Sequence, residues 1–340
     1  MVLGVDFMIT NNRTIASIDV TKFFFCLCII ALHTRLFTLL PEPADYYFRQ
    51  LVLRSAVPFF FVCSGYFLGK KSQGNDVNCV VRKYVKRLLL PLLFFDVINV
   101  IEQDIALIYR GEYLIDVLRI NAQSLLFYPY GALWFVQACI IGALLLTPFI
   151  KRGHMTRAIW IGLCLYIFAL LCNNYYFLSY GILRKVIDTY MHYCISARNG
   201  LFVGFIFLAL GVRIAACDNA YGLRKGLLLL VVGIFSLFVE AYFLRGKAYA
   251  DDGALFLMQL FFIPCLFNFI LHLKFNQAFD TVLLRNLSIG MYLLHRPVLF
   301  IIEHISETIV VGFVCTVLIT MAICLFFYNT RFLKMDKLLK

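Results

Sequence analysis

Charged residues are scarce in this 340-residue chain. Asp, Glu, Lys and Arg together make up 15% of it and apolar residues 62%, whereas soluble domains carry about 25% charged and roughly 45–50% apolar residues. So few charges cannot cover the surface of a water-soluble globule. The apolar residues also come in long runs, and a helix needs about 20 of them to cross the hydrocarbon core of a membrane. We therefore expect an all-α, polytopic integral membrane protein.

Signals for export processing and for metal binding are missing as well. Residues 1–12 lack the basic start and apolar core of a cleavable signal peptide, so we expect the first apolar run to stay as an anchor. Most of the 12 cysteines lie in apolar runs, where cysteine behaves as a small hydrophobic residue. No CxxC pair or Cys/His set has zinc spacing. We expect no metal site, no disulfide and no bound cofactor.

Windows of about 20 residues predict ten transmembrane spans, which together form a single membrane domain over residues 1–340. The predicted spans are 18–40, 49–69, 88–109, 132–150, 157–177, 199–216, 226–244, 254–273, 286–304 and 308–328. The long connections 110–131 and 178–198 contain several tyrosines, which is typical of an aromatic belt at the membrane surface.

Lys and Arg are concentrated in every second connection between the predicted spans. Because basic residues stay on the cytoplasmic side, this pattern predicts an even number of spans with both termini in the cytoplasm. The net charge of +12 is then spread over loops and does not form a patch. A nucleic-acid partner is therefore not expected, and the lipid bilayer is.

Ionisable side chains inside predicted spans are functional candidates, because each costs roughly 2.5–3.5 kcal/mol on insertion. Lys22 and His33 in the first span are separated by about three helical turns, so they share one stripe of the helix over about 16 Å. His33 suits proton transfer because imidazole titrates near neutral pH, and the alternative is a hydrogen bond to a neighbouring helix. Lys22 could instead snorkel to the membrane surface.

The second span places Arg54 shortly before Pro58, which we expect to kink the helix. Gly65 returns to the face of Arg54 and leaves room for a close neighbour or for a ligand. Arg54 and His33 both lie toward the outer ends of adjacent spans, so we expect the first hairpin to bring them to one depth. An arginine that faces a water-filled cavity can bind an oxyanion or a phosphate.

Acidic residues in the spans are the natural neutralising partners of these cations, since an unpaired charge is costly there. No more specific role is predicted for Asp96, Glu102 and Glu240. Either Lys22 or Arg54 could be neutralised in this way. Asp251 and Asp252 fall in an outer connection, where we expect them to be solvated.

Six segments, spread over most of the chain, form a recognisable set. They are Asp19 to His33 with its basic-to-histidine spacing, Arg54 to Gly65, Lys83-x-x-Lys86-Arg87 before Pro91, Leu133-Trp134-Phe135, Arg198-Asn199-Gly200 and Tyr292-Leu-Leu-His295. Together they resemble the acyltransferase 3 family of polytopic membrane acyltransferases. The first two segments are the specific ones.

The resemblance implies transfer of an acyl group, usually acetyl from cytoplasmic acetyl-CoA, to a hydroxyl of a cell-envelope or lipid-linked saccharide. It implies a bacterial inner or plasma membrane, and a stand-alone form without the C-terminal hydrolase-like domain of some members. The catalytic candidates are His33, as general base or acyl relay, with Lys22 and Arg54. The candidates for binding donor or substrate are Lys83, Lys86, Arg87, Ser64, Trp134 and His295.

Two departures from the family pattern and two other functions bear on this interpretation. Position 22 more often carries arginine in the family, and the basic segment around Lys86 matches only loosely.

A transporter or flippase could use the same intramembrane charges as a proton relay, although the sequence shows no internal repeat. A ligand-recognising membrane module is the other alternative, because related domains are also fused to amino-acid racemases.

Overall fold

The computed structural model describes residues 15–111, 113–217, 223–273 and 281–330. These residues form helices and turns and contain no strand, which confirms the all-α class. The helices are α1 Ala16–His33, α2 Ala44–Leu51, α3 Ala56–Ser72, α4 Val77–Tyr109, α5 Leu114–Phe127, α6 Trp134–Lys151, α7 Met155–Leu171, α8 Gly181–Cys194, α9 Phe205–Ala216, α10 Leu223–Leu244, α11 Gln259–His272, α12 Thr281–Glu303 and α13 Ile309–Thr330. A π-helical turn, Gly200–Gly204, leads into α9.

Within the described ranges, five helical segments are long and apolar enough to cross a membrane. They are Ala16–His33, Ala44–Ser72, Trp134–Lys151, Leu223–Leu244 and Ile309–Tyr328. Each of the ten predicted spans overlaps a helix, so the apolar runs were correctly identified as helical. The number of ten crossings and the cytoplasmic termini stay predictions.

Two short amphipathic helices were not predicted from the sequence. Helices α5 and α8 lie in the two connections that we expected to be loops. Each helix mixes polar residues with exposed apolar ones such as Leu118 and Ile182. A search for runs of about 20 apolar residues therefore does not detect these two helices. The connections are therefore more ordered than predicted.

The second predicted span is interrupted near its start. A 3₁₀ turn, Leu53–Ser55, separates α2 from α3, and Pro58 falls in the first turn of α3. Proline is tolerated there because the first backbone N–H groups of a helix have no intrahelical acceptor. The helix is therefore interrupted at Leu53–Ser55, about one turn before Pro58, where a proline disturbs helical hydrogen bonding.

The chain divides into two compact units, residues 1–39 with 270–340 and residues 40–269. In the first unit α1, α12 and α13 pack against one another. In the second unit α3 packs mainly against α9, α6 and α7 also contact α9, and α4 packs on α6.

Glycines bring α3 and α9 into backbone contact. A Cβ at Gly65 would lie 2.2 Å from the carbonyl oxygen of Leu208, and one at Gly211 would lie 2.1 Å from a carbonyl oxygen of α3. Gly69 in turn meets Val212, so the two helices run parallel. Gly65 was predicted to leave room either for a close neighbour or for a ligand, and the structure shows a close neighbour, the backbone of α9. The parallel pairing places the start of α3 and the start of the α9 segment at the same end.

Candidate functional site

The unit of residues 1–39 and 270–340 brings two predicted site residues together. His33 ends α1 and faces His295 of α12, with 5.1 Å between their ring centroids and 39° between the ring planes. His33 is half-buried, whereas His295 is fully buried. The predicted approach of His33 to Arg54 would join the two units and stays a prediction.

The proton of His295 can be placed from its contacts. Its Nδ1 lies 2.6 Å from the backbone carbonyl oxygen of Tyr292. A carbonyl oxygen only accepts hydrogen bonds, so Nδ1 carries the proton and the lone pair of the neutral ring is on Nε2. That Nε2 is buried and has no hydrogen-bond partner within the described ranges. His295 therefore holds an unused acceptor inside the protein.

The opposite end of the α1 stripe is charged. Asp19 is buried, is hydrogen-bonded by the side chain of Thr281, and lies near the charges of Lys22 and Arg285. The stripe predicted from sequence thus joins a charged end at Lys22 to a histidine end at His33.

In the unit of residues 40–269, Arg54 belongs to an ion-pair cluster of two arginines and two aspartates. Arg54 pairs with the carboxylate of Asp252, and Nη1 of Arg198 lies 2.8 Å from the same Oδ2. Asp251 accepts hydrogen bonds from Nε of Arg198, at 3.2 Å, and from the hydroxyl of Ser196. The side chains of the two arginines are only 14% exposed. The cluster is therefore compact, largely buried and neutral in sum.

The prediction that Asp251 and Asp252 are solvated is wrong. Burial raises the pKa of the Asp252 carboxyl, but the charges of Arg198 and Arg54 outweigh it and hold the pKa below the usual value. The missed signal was an acidic dipeptide in a connection, together with one arginine inside the second predicted span and another directly before the sixth. Arg198 was noted as part of a motif but was not assigned to the site.

The packing of α3 and α9 explains why the two arginines meet. Arg54 lies just before α3, and Arg198 lies just before the π-helical turn that leads into α9. Since these helices run parallel, both guanidinium groups come to one end. The guanidinium carbon of Arg198 lies 5.3 Å from the ring centroid of Tyr128 and 5.4 Å from that of Trp134, whose rings are stacked. Trp134 thus lies at the cluster, and its role in binding donor or substrate stays a prediction.

Asparagines after α7 hold the acidic loop in place. Nδ2 of Asn174 donates to the carbonyl oxygens of Gly253 and Leu255, at 3.0 and 2.9 Å. The side-chain oxygen of Asn173 accepts the backbone N–H of Leu255 at 3.1 Å, and its Nδ2 lies 3.4 Å from the Asp252 carboxylate. Sequence reasoning missed both asparagines, although an Asn-Asn pair inside the predicted span 157–177 is a visible signal.

Glu240 supports the same loop and does not neutralise Arg54. Its carboxylate accepts the hydroxyl of Tyr175 at 2.6 Å and the backbone N–H groups of Leu257 and Met258 at 2.6 and 2.7 Å. An acid at that position caps the chain just before α11, where free N–H groups favour negative charge. The predicted span therefore begins as a capped loop and becomes helical only from Gln259.

The other donor-binding candidates lie elsewhere in this unit. The hydroxyl of Tyr84 lies close to the hydroxyl of Ser64 and the thiol of Cys139. Tyr84 and Ile150 join one apolar cluster, and Ile150 is separated from Trp134 by roughly 24 Å along α6. The basic candidates of the same helix α4 are Lys83, Lys86 and Arg87. The structure therefore does not bring Trp134 to the basic segment.

Two amino-acid racemases of enterococci are similar in sequence to this chain. The chain is 29% identical over 276 residues to an amino-acid racemase of Enterococcus faecalis, a match that covers 78% of this chain and 37% of that protein. It is 25% identical over 324 residues to a serine/alanine racemase of Enterococcus gallinarum, which covers 91% of this chain and 45% of that protein. The chain thus spans less than half the length of these relatives.

No solved structure matches the chain significantly. The sequence model of one family, described as an acyltransferase domain, matches residues 15–329. This match extends over nearly the whole chain, including both histidines and the arginine–aspartate cluster. It confirms the resemblance noted from the motifs: the protein belongs to the acyltransferase 3 family of membrane acyltransferases.

Proposed function

We propose that the protein moves an acyl group, acetyl in the first place, from cytoplasmic acyl-CoA to a hydroxyl of a cell-envelope or lipid-linked saccharide at a bacterial inner or plasma membrane. The family supports acyl transfer. The observation that carries the site is the half-buried ring of His33 beside the buried ring of His295. Imidazole in such surroundings can take a proton from a hydroxyl.

The reaction needs one base and no cofactor. The acceptor hydroxyl attacks the thioester carbonyl carbon, the C–S bond breaks, and the hydroxyl proton passes to His33. His33 then returns this proton to the thiolate of CoA, so atoms and charges balance. Lys22 at the charged end of the stripe would bind the donor phosphates.

Arg54 would contribute a hydrogen bond from its Nε. Its terminal nitrogens are used by Asp252, whereas Nε is buried and has no acceptor within the described ranges. A buried N–H group usually has a partner. An oxygen of a ligand bound at the arginine–aspartate cluster would provide one.

Radiolabelled acetyl-CoA tests the proposal. Membranes that contain the wild-type protein should transfer label to an envelope glycan fraction, and His33→Ala should lower the rate by roughly 10²–10⁴-fold, the usual loss when one general base is removed. His154→Ala, at an exposed histidine before α7, is the matched control and should leave transfer unchanged.

Two results would contradict this function. Absence of label transfer by the wild type, with the protein inserted and monodisperse, would refute acyl transfer from acetyl-CoA. Near-wild-type transfer by His33→Ala would refute the assignment of the base.

A second candidate, recognition of a small amino acid, is favoured by one observation. The cluster places guanidinium groups and carboxylates side by side, so the two charged ends of a zwitterion can replace the pairs that these groups make with one another. The names of the two enterococcal racemases indicate that those proteins act on amino acids. Thermal stabilisation of the purified protein by serine or alanine, with none by acetyl-CoA, would favour this function over acyl transfer.

A further inference from the structure

The unused acceptor on His295 points to a role in the proposed reaction. We propose that His295 positions His33: its Nε2 accepts the N–H of the His33 ring, which leaves the other ring nitrogen of His33 unprotonated and turned toward the acceptor hydroxyl. This inference rests on the proposed function. His295 thereby becomes a positioning residue, distinct from the substrate-binding role implied by the resemblance.

The tautomer of His295 is fixed by its contact with the backbone of α12. The bond from Nδ1 to the Tyr292 carbonyl oxygen, at 2.6 Å, commits the proton of His295 to that side. The lone pair on Nε2 is then fixed in place by α12 itself, because donor and acceptor lie one helical turn apart. A base that is held in one tautomer by a neighbouring acceptor is the same arrangement that orients histidine in catalytic triads.

Burial separates the roles of the two rings. His295 is 0% exposed, so a substrate cannot reach it without displacing its neighbours. His33 is half-buried at the end of α1, where a hydroxyl can approach. The substrate therefore meets His33, and His295 acts through it.

Distance allows the bond between the rings. An N–H···N bond of about 2.9 Å between two imidazole rings corresponds to a centroid separation close to the 5.1 Å observed, with 39° between the ring planes. Such bonds are often long in the absence of substrate and shorten in the reacting complex. During the reaction the hydroxyl proton moves to His33 and then to the thiolate, while His295 keeps its own proton on Nδ1.

Two substitutions separate the functions of the His295 nitrogens. His295→Asn keeps a donor for the Tyr292 carbonyl oxygen but removes the acceptor at the Nε2 position, whereas His295→Gln places an amide oxygen near that position. We expect His295→Asn to lower kcat roughly 10–100-fold. Mutation of residues that orient a functional histidine through a hydrogen bond to its other ring nitrogen has effects of this size. The KM for acetyl-CoA should stay unchanged, and His295→Gln should recover part of kcat.

His304 offers a matched control. Its Nδ1 also lies close to a backbone carbonyl oxygen one turn earlier, that of Phe300 at 2.7 Å, but the side chain is exposed. His304→Asn is chemically the same change and should leave transfer at the wild-type rate.

A double-mutant cycle distinguishes positioning from general support of the fold. In a His33→Ala background, measured over long incubations with radiolabelled donor, His295→Asn should cause no further loss, because the residue that it positions is absent. An equal loss in both backgrounds would overturn the positioning role. So would unchanged kcat in His295→Asn with an active wild type, a result that leaves the proposed function standing.

Nitrogen NMR tests the same bond without activity. In protein labelled with ¹⁵N-histidine, His33 should show one tautomer in the wild type and a mixture in His295→Asn. A His33 tautomer that does not respond to His295→Asn would overturn the inference even where transfer is too slow to measure.

Discussion

Replacing Asp252 by Asn tests whether the arginine–aspartate cluster stabilises the fold. Asn has nearly the same shape as Asp and keeps an acceptor oxygen, so the change removes charge and leaves packing intact. The carboxylate of Asp252 lies against both Arg54 and Arg198. Its loss therefore leaves two largely buried guanidinium groups with one carboxylate, that of Asp251, between them.

The structure sets the size of the effect. Breaking a buried ion pair by removing one partner costs about 3–5 kcal/mol, because a buried charge is left uncompensated. Asp252 is 27% exposed and Arg198 keeps Asp251, so we expect the lower end, about 3 kcal/mol. Asp116→Asn is the matched control: its partner Arg119 is 61% exposed, and such surface pairs contribute about 0–1 kcal/mol.

The pH dependence follows from the lowered pKa of Asp252. A carboxyl with a depressed pKa in the folded state contributes stability above its unfolded pKa, about 3.9, and loses it as the pH falls through the folded pKa. The stability difference between wild type and Asp252→Asn should therefore be constant from about pH 5 to pH 7 and shrink below about pH 4.

Thermal unfolding in detergent, followed by the fraction of protein that stays monodisperse, measures this difference. The reasoning is refuted if Asp252→Asn unfolds at the same temperature as Asp116→Asn. A difference that stays undiminished in acid would refute the electrostatic explanation, since a protonated Asp252 and the uncharged asparagine that replaces it should then be equivalent.

Four further predictions follow from the structure and the sequence. Gly211→Ala should destabilise the protein by at least about 1–3 kcal/mol, the usual cost of overpacking a core, because the new Cβ would overlap the backbone of α3. Gly226→Ala is the control: the nearest atom lies 3.7 Å from its new Cβ, so the variant should be neutral or stabilising in the same thermal assay. Lys22→Met should raise the KM for acetyl-CoA or abolish turnover, and Lys22→Arg should retain activity; full activity of the Met variant would remove Lys22 from the site. Arg54→Lys should lose most activity because lysine cannot bond Asp252 through two nitrogens and also offer a third donor; equal kcat/KM would contradict this. A tag after Lys340 should be accessible only from the cytoplasm, and labelling from outside intact cells would contradict the topology.

The helices were predictable because their signal is local. Apolar runs such as 308–328 contain the composition of a span within one window, and the helix α13 coincides with it closely. The segment 254–258 is equally apolar but forms a loop, because Glu240 binds its N–H groups from another helix. A window of sequence contains no information about that partner.

The same distinction between local and long-range signals separates the two groups of candidate residues. The stripe from Lys22 to His33 lies on one helix, so helical periodicity alone places its members. The contact of Arg54 with Asp252 joins residues 198 positions apart, and it depends on how α3 and α9 pack. An unpaired arginine in a membrane is unfavourable, so the sequence predicts that Arg54 has a counter-ion. It does not identify the acidic residue that provides it.

The neutrality of the cluster restricts what Arg54 can bind. Two guanidinium groups and two carboxylates leave no surplus positive charge to attract a phosphate, and the terminal nitrogens of Arg54 are already occupied by Asp252. The remaining Nε–H is a single donor in a buried, neutral setting, where a hydrogen bond to a carbonyl or hydroxyl oxygen gains strength from the low dielectric constant. A phosphate would bring net negative charge close to the two aspartates. Arg54 is therefore suited to an uncharged oxygen of a ligand at the cluster and not to a phosphate.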